Sequence, residues 1–239
     1  KAAASIARLP EKFIIKLLEP NVHRLNYPWD ENRYFYSQSG FNGTTNSQAL
    51  YLLLSRYSEE LQEGIVELVD LTNFKVLHTW NPDINQFNKS IEKVNEFKYL
   101  NRDNNNARQL LQHPKLTKDG GLIFISSPLR KIDVCSNIIF QNSHDKFHHS
   151  IETDLQGNIW VPSYLYPMHL PARKIGKVGY LDDAIVKLSP DGEILFERSV
   201  SQIFIDNGLE YLLFSMGDRK FNKDPIHLND IQPVDFDGE

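Results

Sequence analysis

The sequence predicts an all-β protein, a β-propeller of four-stranded blades, on three observations. Short apolar stretches of strand length alternate with polar turns. The turns and strands recur as whole units of four strands. A histidine stands at the same place at the head of successive units, at His113, His149 and His227.

The chain has 239 residues, enough for a repeated array of small sheets. Its formal charge is −5 with acids and bases mixed, which argues against nucleic acid as the main partner, because phosphate binding needs a concentrated basic face. No run of about 18 apolar residues is present to span a bilayer. The single Cys135 cannot form an internal disulfide and reads as a small apolar residue.

Residues 1–20 form a first segment, an amphipathic helix over 1–19 carrying Ile6, Leu9, Phe13, Leu17 and Leu18 and stopped by Pro20. Its basic residues Lys1, Arg8, Lys12 and Lys16 make a membrane surface a candidate partner, and packing on the domain the plainer alternative. Residues 21–239 form the partial propeller domain. Strands are predicted at 49–55, 64–70 and 74–80, with a turn at Thr72 and Asn73. Helix is predicted over 90–99 and a loop over 101–106.

The repeat is clearest next. His113 stands eight residues before Gly121, which leads into Leu122, Ile123 and Phe124. His149 stands eight residues before Gly157, which leads into Asn158, Ile159 and Trp160. The second halves also match: residues 129–140 align with 185–196, where Asp191 and Gly192 signal a hairpin turn. Residues 64–80 form a looser third copy. One sheet cannot bury both its faces alone, and radial stacking of sheets solves this. Consecutive hairpins in a β-sandwich are the competing arrangement. A helical insertion is predicted near 199–216, capped by Ser199 or Ser201 and interrupted at Asn207 and Gly208, so either one helix or two short ones. The next unit opens at Asp224. Asp182 and Asp183, just before a strand, read as turn formers.

In a propeller the first strand of each blade lines the axis, so His113, His149 and His227 are expected to converge. Strand alternation would turn His148 away from His149. Converging imidazoles can bind a metal, hold an oxyanion, attack as nucleophiles or move protons. Strand-end histidines bonded to a neighbouring blade are the structural alternative. His144, Asp145, His148 and His149 cannot all face one ion on an alternating strand, and no HExxH motif or cysteine pair is present, so no metal ligands are assigned. Ser55, Ser150 and Ser163 lie outside any GxSxG motif, and no GxGxxG or Walker loop occurs.

Three stretches together resemble the arylsulfotransferase family. They are Phe147-His148-His149-Ser150-Ile151 with Gly157 to Trp160, then residues 183–196, then Asp224 to Gln232 with its Asp-x-x-His-x-Asn step. The likeness covers roughly residues 110–239. It implies a six-bladed propeller, of which this chain holds about three to four blades, usually exported to the periplasm or its membrane. It implies transfer of a sulfuryl group from an aryl sulfate to a phenol through a histidine intermediate, without cofactor or nucleotide donor. His149 and His227 are implied as catalytic, binding sulfuryl oxygens or supporting proton transfer. His148, His113 and Asn229 are implied as substrate-binding, with Asn229 orienting His227. Ser150 departs from the family's acidic residue. The nucleophilic histidine and an arginine are expected after Glu239, which makes the present chain inactive alone. A homodimer is a candidate assembly. A ligand- or protein-binding propeller without activity, and a metal-dependent propeller hydrolase, are the competing functional readings.

Overall fold

Three antiparallel sheets follow one another along the chain in the computed structural model, which describes residues 40–41, 43–91, 97, 99–126, 128–144, 146–165, 181–214 and 224–234. The helix expected over 1–19 lies outside the described residues. The first sheet runs in the order β1 (Tyr51–Ser58), β2 (Glu63–Asp70) and β3 (Lys75–Trp80). The second is β4 (Gln112–Leu116), β5 (Leu122–Ile125), β6 (Leu129–Ile132) and β7 (Ile138–Asn142). In the third, two short strands, β8 (Lys146–Phe147) and β9 (Glu152–Thr153), pair with the same strand β10 (Ile159–Tyr164). Then come β11 (Asp183–Leu188) and β12 (Ile194–Ser199). Each sheet is a meander of sequence neighbours.

The second sheet is the middle layer. All four residues of β5 are buried. Leu122 and Phe124 pack with Val66, Trp80 and Leu111 toward the first sheet. Ile123 and Ile125 pack with Phe147, Ile159, Val161 and Val186 toward the third. Successive strand residues face opposite sides, so a strand apolar at every position needs a sheet on each side. Burial of each such side chain contributes about 1.5–3 kcal/mol.

One turn recurs four times. It spans residues 117–121, 133–137, 154–158 and 189–193. In each, the first and fifth residues are bonded N–H to carbonyl, and the fourth N–H returns to the first carbonyl: Asp154 N to Asn158 O is 3.1 Å and Gly157 N to Asp154 O is 2.9 Å. The fourth residue has positive φ: Gly120 at +81°, Ser136 at +68°, Gly157 at +82° and Gly192 at +87°. This is the type I turn with a left-handed bulge that joins twisted strands. The residue equivalent to Gly157 is thus Gly120 and not Gly121. The two copies differ by one residue because β4 slips by one residue against β5, between Gln112 and Lys115, whereas the β8–β9 stretch slips by two against β10. Asp154 accepts from Asn158, Trp160 and Lys187. Burial opposes its charge, but these bonds outweigh burial and hold its carboxyl well below the usual range.

Two helices, α1 (Ile84–Asn88) and α2 (Leu100–Asp103), flank the segment expected to be helical. Residues 92–96 and 98 of that segment lie outside the described residues. α1 starts at Ile84 because Asp83 caps it, accepting from Gln86 N at 3.0 Å, and because Ile84 and Phe87 enter the core. Part of the expected loop over 101–106 is α2, followed by Asn104. Arg130, fully buried, ties α1 to the second sheet through Asn88 (2.6 Å), Gln141 (3.2 Å) and Ser126. With these neutral partners, burial pushes its pKa down to about 10. After β12, Ser199 caps α3 (Val200–Asp206), and Asn207 and Gly208 separate it from α4 (Tyr211–Phe214), so the insertion is two short helices.

The third sheet touches the second at one sensitive point. A Cβ on Gly192 would lie 2.5 Å from the Phe140 ring, and the Gly192 carbonyl accepts from Asn142 Nδ2 at 2.8 Å. A side chain there meets both a left-handed backbone and an aromatic wall. Gly192→Ala is expected to destabilise the chain by about 2–4 kcal/mol, read from the urea unfolding midpoint.

Candidate functional site

Three repeat-related histidines share one unusual backbone conformation. His113 has φ +47°, His149 +60° and His227 +52°. Such values are uncommon outside glycine and cost of order 1–3 kcal/mol each unless the surroundings hold them. In each case the chain breaks regular pairing at that residue. His113 sits in the register shift of β4, beside Pro114, which has no N–H to give the ladder. His149 lies in the gap between β8 and β9. His227 follows Asp224, whose Oδ1 accepts the His227 backbone N–H at 3.1 Å.

The breaks aim the three rings at one place. The His149 ring lies 6.4 Å from His113 and 5.9 Å from His227, centre to centre. His113 and His227 are exposed and His149 is half-buried, so the cluster opens to solvent. The segment carrying His227 is held to the third sheet through Ser150. Ser150 N donates to Asn229 O at 3.2 Å, and Ile231 N donates to Ser150 Oγ at 3.3 Å. No strand forms over 224–234; the segment lies along the His149 loop through these two bonds.

His148 does not point away from the cluster. Its backbone N–H stays bonded to Pro162 O at 3.0 Å, but the left-handed turn at His149 ends the alternation. The two rings lie 5.0 Å apart, edge to face. His148 also stacks on Tyr164, 4.1 Å between centres, and its Nε2 lies 3.3 Å from Asp183 Oδ1. Asp183, read from sequence as a turn former, opens β11 instead and is wholly buried.

Charge is distributed unevenly. The Asp224 carboxylate bonds His227 Nδ1 and pushes its pKa up, by that bond first and by charge second. Burial pushes His149 down, and the imidazoles of His148, His227 and His113 add to the effect, while Asp183 opposes it. Asp224 is thus the group that holds the His227 ring, a role sequence reasoning missed although the Asp-x-x-His spacing carried it. Asn229 meets the site through its backbone carbonyl on Ser150.

An open group of imidazoles, one whose proton a carboxylate favours and one whose proton burial disfavours, can hold an anion through N–H donors or move protons. Among the described residues no group of three or more His, Cys, Asp or Glu is placed to hold a metal ion. No helix among them is long and apolar enough to cross a membrane.

Fold and site therefore define a β-rich protein with an open histidine cluster. Residues 114–238, more than half of the chain, match the Arylsulfotransferase (ASST) family, and the chain belongs to it. No curated protein and no solved structure gives a match.

In a histidine-detected NMR titration, His227 is expected to lose its proton above the ordinary histidine range and His149 below it. Asp224→Ala should bring His227 down toward the ordinary range.

Proposed function

We propose that this chain is part of a propeller enzyme that transfers a sulfuryl group from an aryl sulfate to a phenol. The observation that carries the reading is the convergence of His113, His149 and His227, each in left-handed backbone, in a chain of the arylsulfotransferase family. The three stacked sheets serve as successive blades; the first strands of the second and third deliver His113 and His149, and the 224–234 segment brings His227. His149 and His227 hold the sulfuryl oxygens. His113 and His148 extend the donor set, and Asn229 and Ser150 set the position of the His227 segment.

Negative charge on these oxygens must be met as the S–O bond of the donor breaks, and fixed N–H donors do this without reorganising. Asp224 gives His227 the more persistent positive charge. The attack on sulfur belongs to a further histidine of the family pattern, to which no residue of this chain is assigned.

The test is binding of inorganic sulfate to the full chain, followed by calorimetry across pH 5.5–8.5. His227 carries its proton below its raised folded pKa, so affinity should be present at low pH and fall as pH rises through that value. His149→Ala and His227→Ala should each weaken binding by about tenfold or more, about 1.4 kcal/mol. An assay with a chromogenic aryl sulfate and phenol, run on the product of the whole reading frame, tests turnover. A His227→Ala enzyme with undiminished transfer would remove the assignment.

A further inference from the structure

Two buried carboxylates stand at the start of β11, Asp182 just before it and Asp183 as its first residue, and they differ in one respect. Asp182 is satisfied: Ser199 Oγ donates to its Oδ1 at 2.7 Å. Asp183 is fully buried, and among the described residues neither of its oxygens accepts a hydrogen bond. His148 Nε2 stands 3.3 Å from Asp183 Oδ1, within ion-pair reach but not aligned as a hydrogen bond, and both nitrogens of His148 are likewise buried without one. A buried carboxylate without donors is costly, and close positive charge lowers the cost of its ionised form. The groups close by are imidazoles.

We infer that Asp183 is the positioning residue of the histidine cluster: its buried carboxylate, acting through His148, keeps a proton among His148, His149 and His227 and so keeps the cluster able to hold a doubly charged oxyanion. The inference rests on the anion-binding reading above. Its geometry is a line of groups running outward, from Asp183 to His148 at 3.3 Å, then to His149 at 5.0 Å, then to His227 at 5.9 Å. Tyr164 stacks on His148 and fixes its ring plane so that Nε2 faces the carboxylate. Asp183 pairs with Tyr164 across β10 and β11, so both side chains leave the sheet on the same face.

The other charged groups do not replace it. Around His149 stand His113 from β4, His148 beside it, Asp183 from β11 and His227 from the 224–234 segment, whose Asp224 faces His227 and whose Asp230 faces His113. Asp224 is engaged by the His227 ring and Asp230 by Gln232 and Ser150. For His149, burial first and then three imidazoles oppose protonation, and Asp183 favours it. Lys115 and Glu152, which link the second and third sheets, neutralise each other at 2.5 Å.

No bond to sulfur is asked of Asp183. It sets where the proton rests before an anion arrives, and with it the pH range over which the cluster is charged. This separates it from the residues that touch the sulfuryl oxygens.

The experiment follows the histidine ring nitrogens of the full chain by NMR, with and without sodium sulfate, in the native chain and in Asp183→Asn. The isosteric amide removes charge with little change of volume. We expect the His149 titration to move to lower pH in Asp183→Asn, and sulfate binding at pH 7 to weaken about tenfold, the effect of removing one close charge. Asp183→Glu should restore part of both. An Asp183→Asn chain that keeps its melting temperature and shows the native His149 titration would overturn the inference. If the native chain binds no sulfate while Asp183→Asn still shifts His149, the anion reading fails and the coupling of Asp183 to the cluster stands. If Asp183→Asn does not fold, the native tautomer decides. A proton on His148 Nε2 supports the inference, and a bare Nε2 facing Asp183 overturns it.

Discussion

The architecture depends on β5 being apolar on both faces. Leu122 and Phe124 demand a partner on one side, and Ile123 and Ile125 on the other. A single sheet, or a hairpin lying on solvent, would leave half of this strand in water. The first and third sheets satisfy the demand. Once the sheets stack in chain order, the strand beginnings of successive units come to one side, and the site follows from that arrangement. The first consequence of the core is therefore a placement of histidines that share no local sequence contact.

Left-handed backbone is used twice, for opposite purposes. At the four recurring turns it closes hairpins, and three of the four positions are glycine, which accepts positive φ without a Cβ penalty. At His113 and His149 it breaks the first strand of a sheet, and at His227 it bends an extended segment; in all three the residue is one for which the conformation is strained. Strain of this kind persists where neighbouring structure holds it. Here the holding groups are visible: the register shift and Pro114 at His113, the split first strand and Ser150 at His149, and Asp224 at His227. A regular strand would spread the imidazoles of its neighbours to opposite faces. A strand broken at the histidine turns His149 into the cluster and leaves His148 directly behind it, next to a buried carboxylate.

Ser150 illustrates how one short residue can seat a segment distant in sequence. It bonds Asn229 and Ile231 and holds the His227 segment beside His149. Its short side chain and its N–H do the positioning. The ionic help comes from elsewhere, from Asp224 on one flank and Asp183 on the other.

Much of this was legible in the chain as written. Strands of alternating or continuous apolar residues, the Asp191-Gly192 hairpin, the Ser199 cap and the recurrence of His113 and His149 before a turn glycine are local signals, since short-range sterics and hydrogen bonds produce them. They sufficed for an all-β chain of repeated sheets, for the family, and for which histidines to compare. Tertiary structure decided what depends on contacts between units. The one-residue slip that makes Gly120 the partner of Gly157, the start of α1 at Ile84 under the pull of the core, and the burial of Asp183 behind His148 arise from packing between segments far apart in sequence. An aspartate before a strand looks the same in sequence whether it shapes a turn or lies wholly buried. Only the sheets and side chains that close over it decide which, because the energy of a carboxylate is set by the solvent and charges around it and not by its neighbours in the chain.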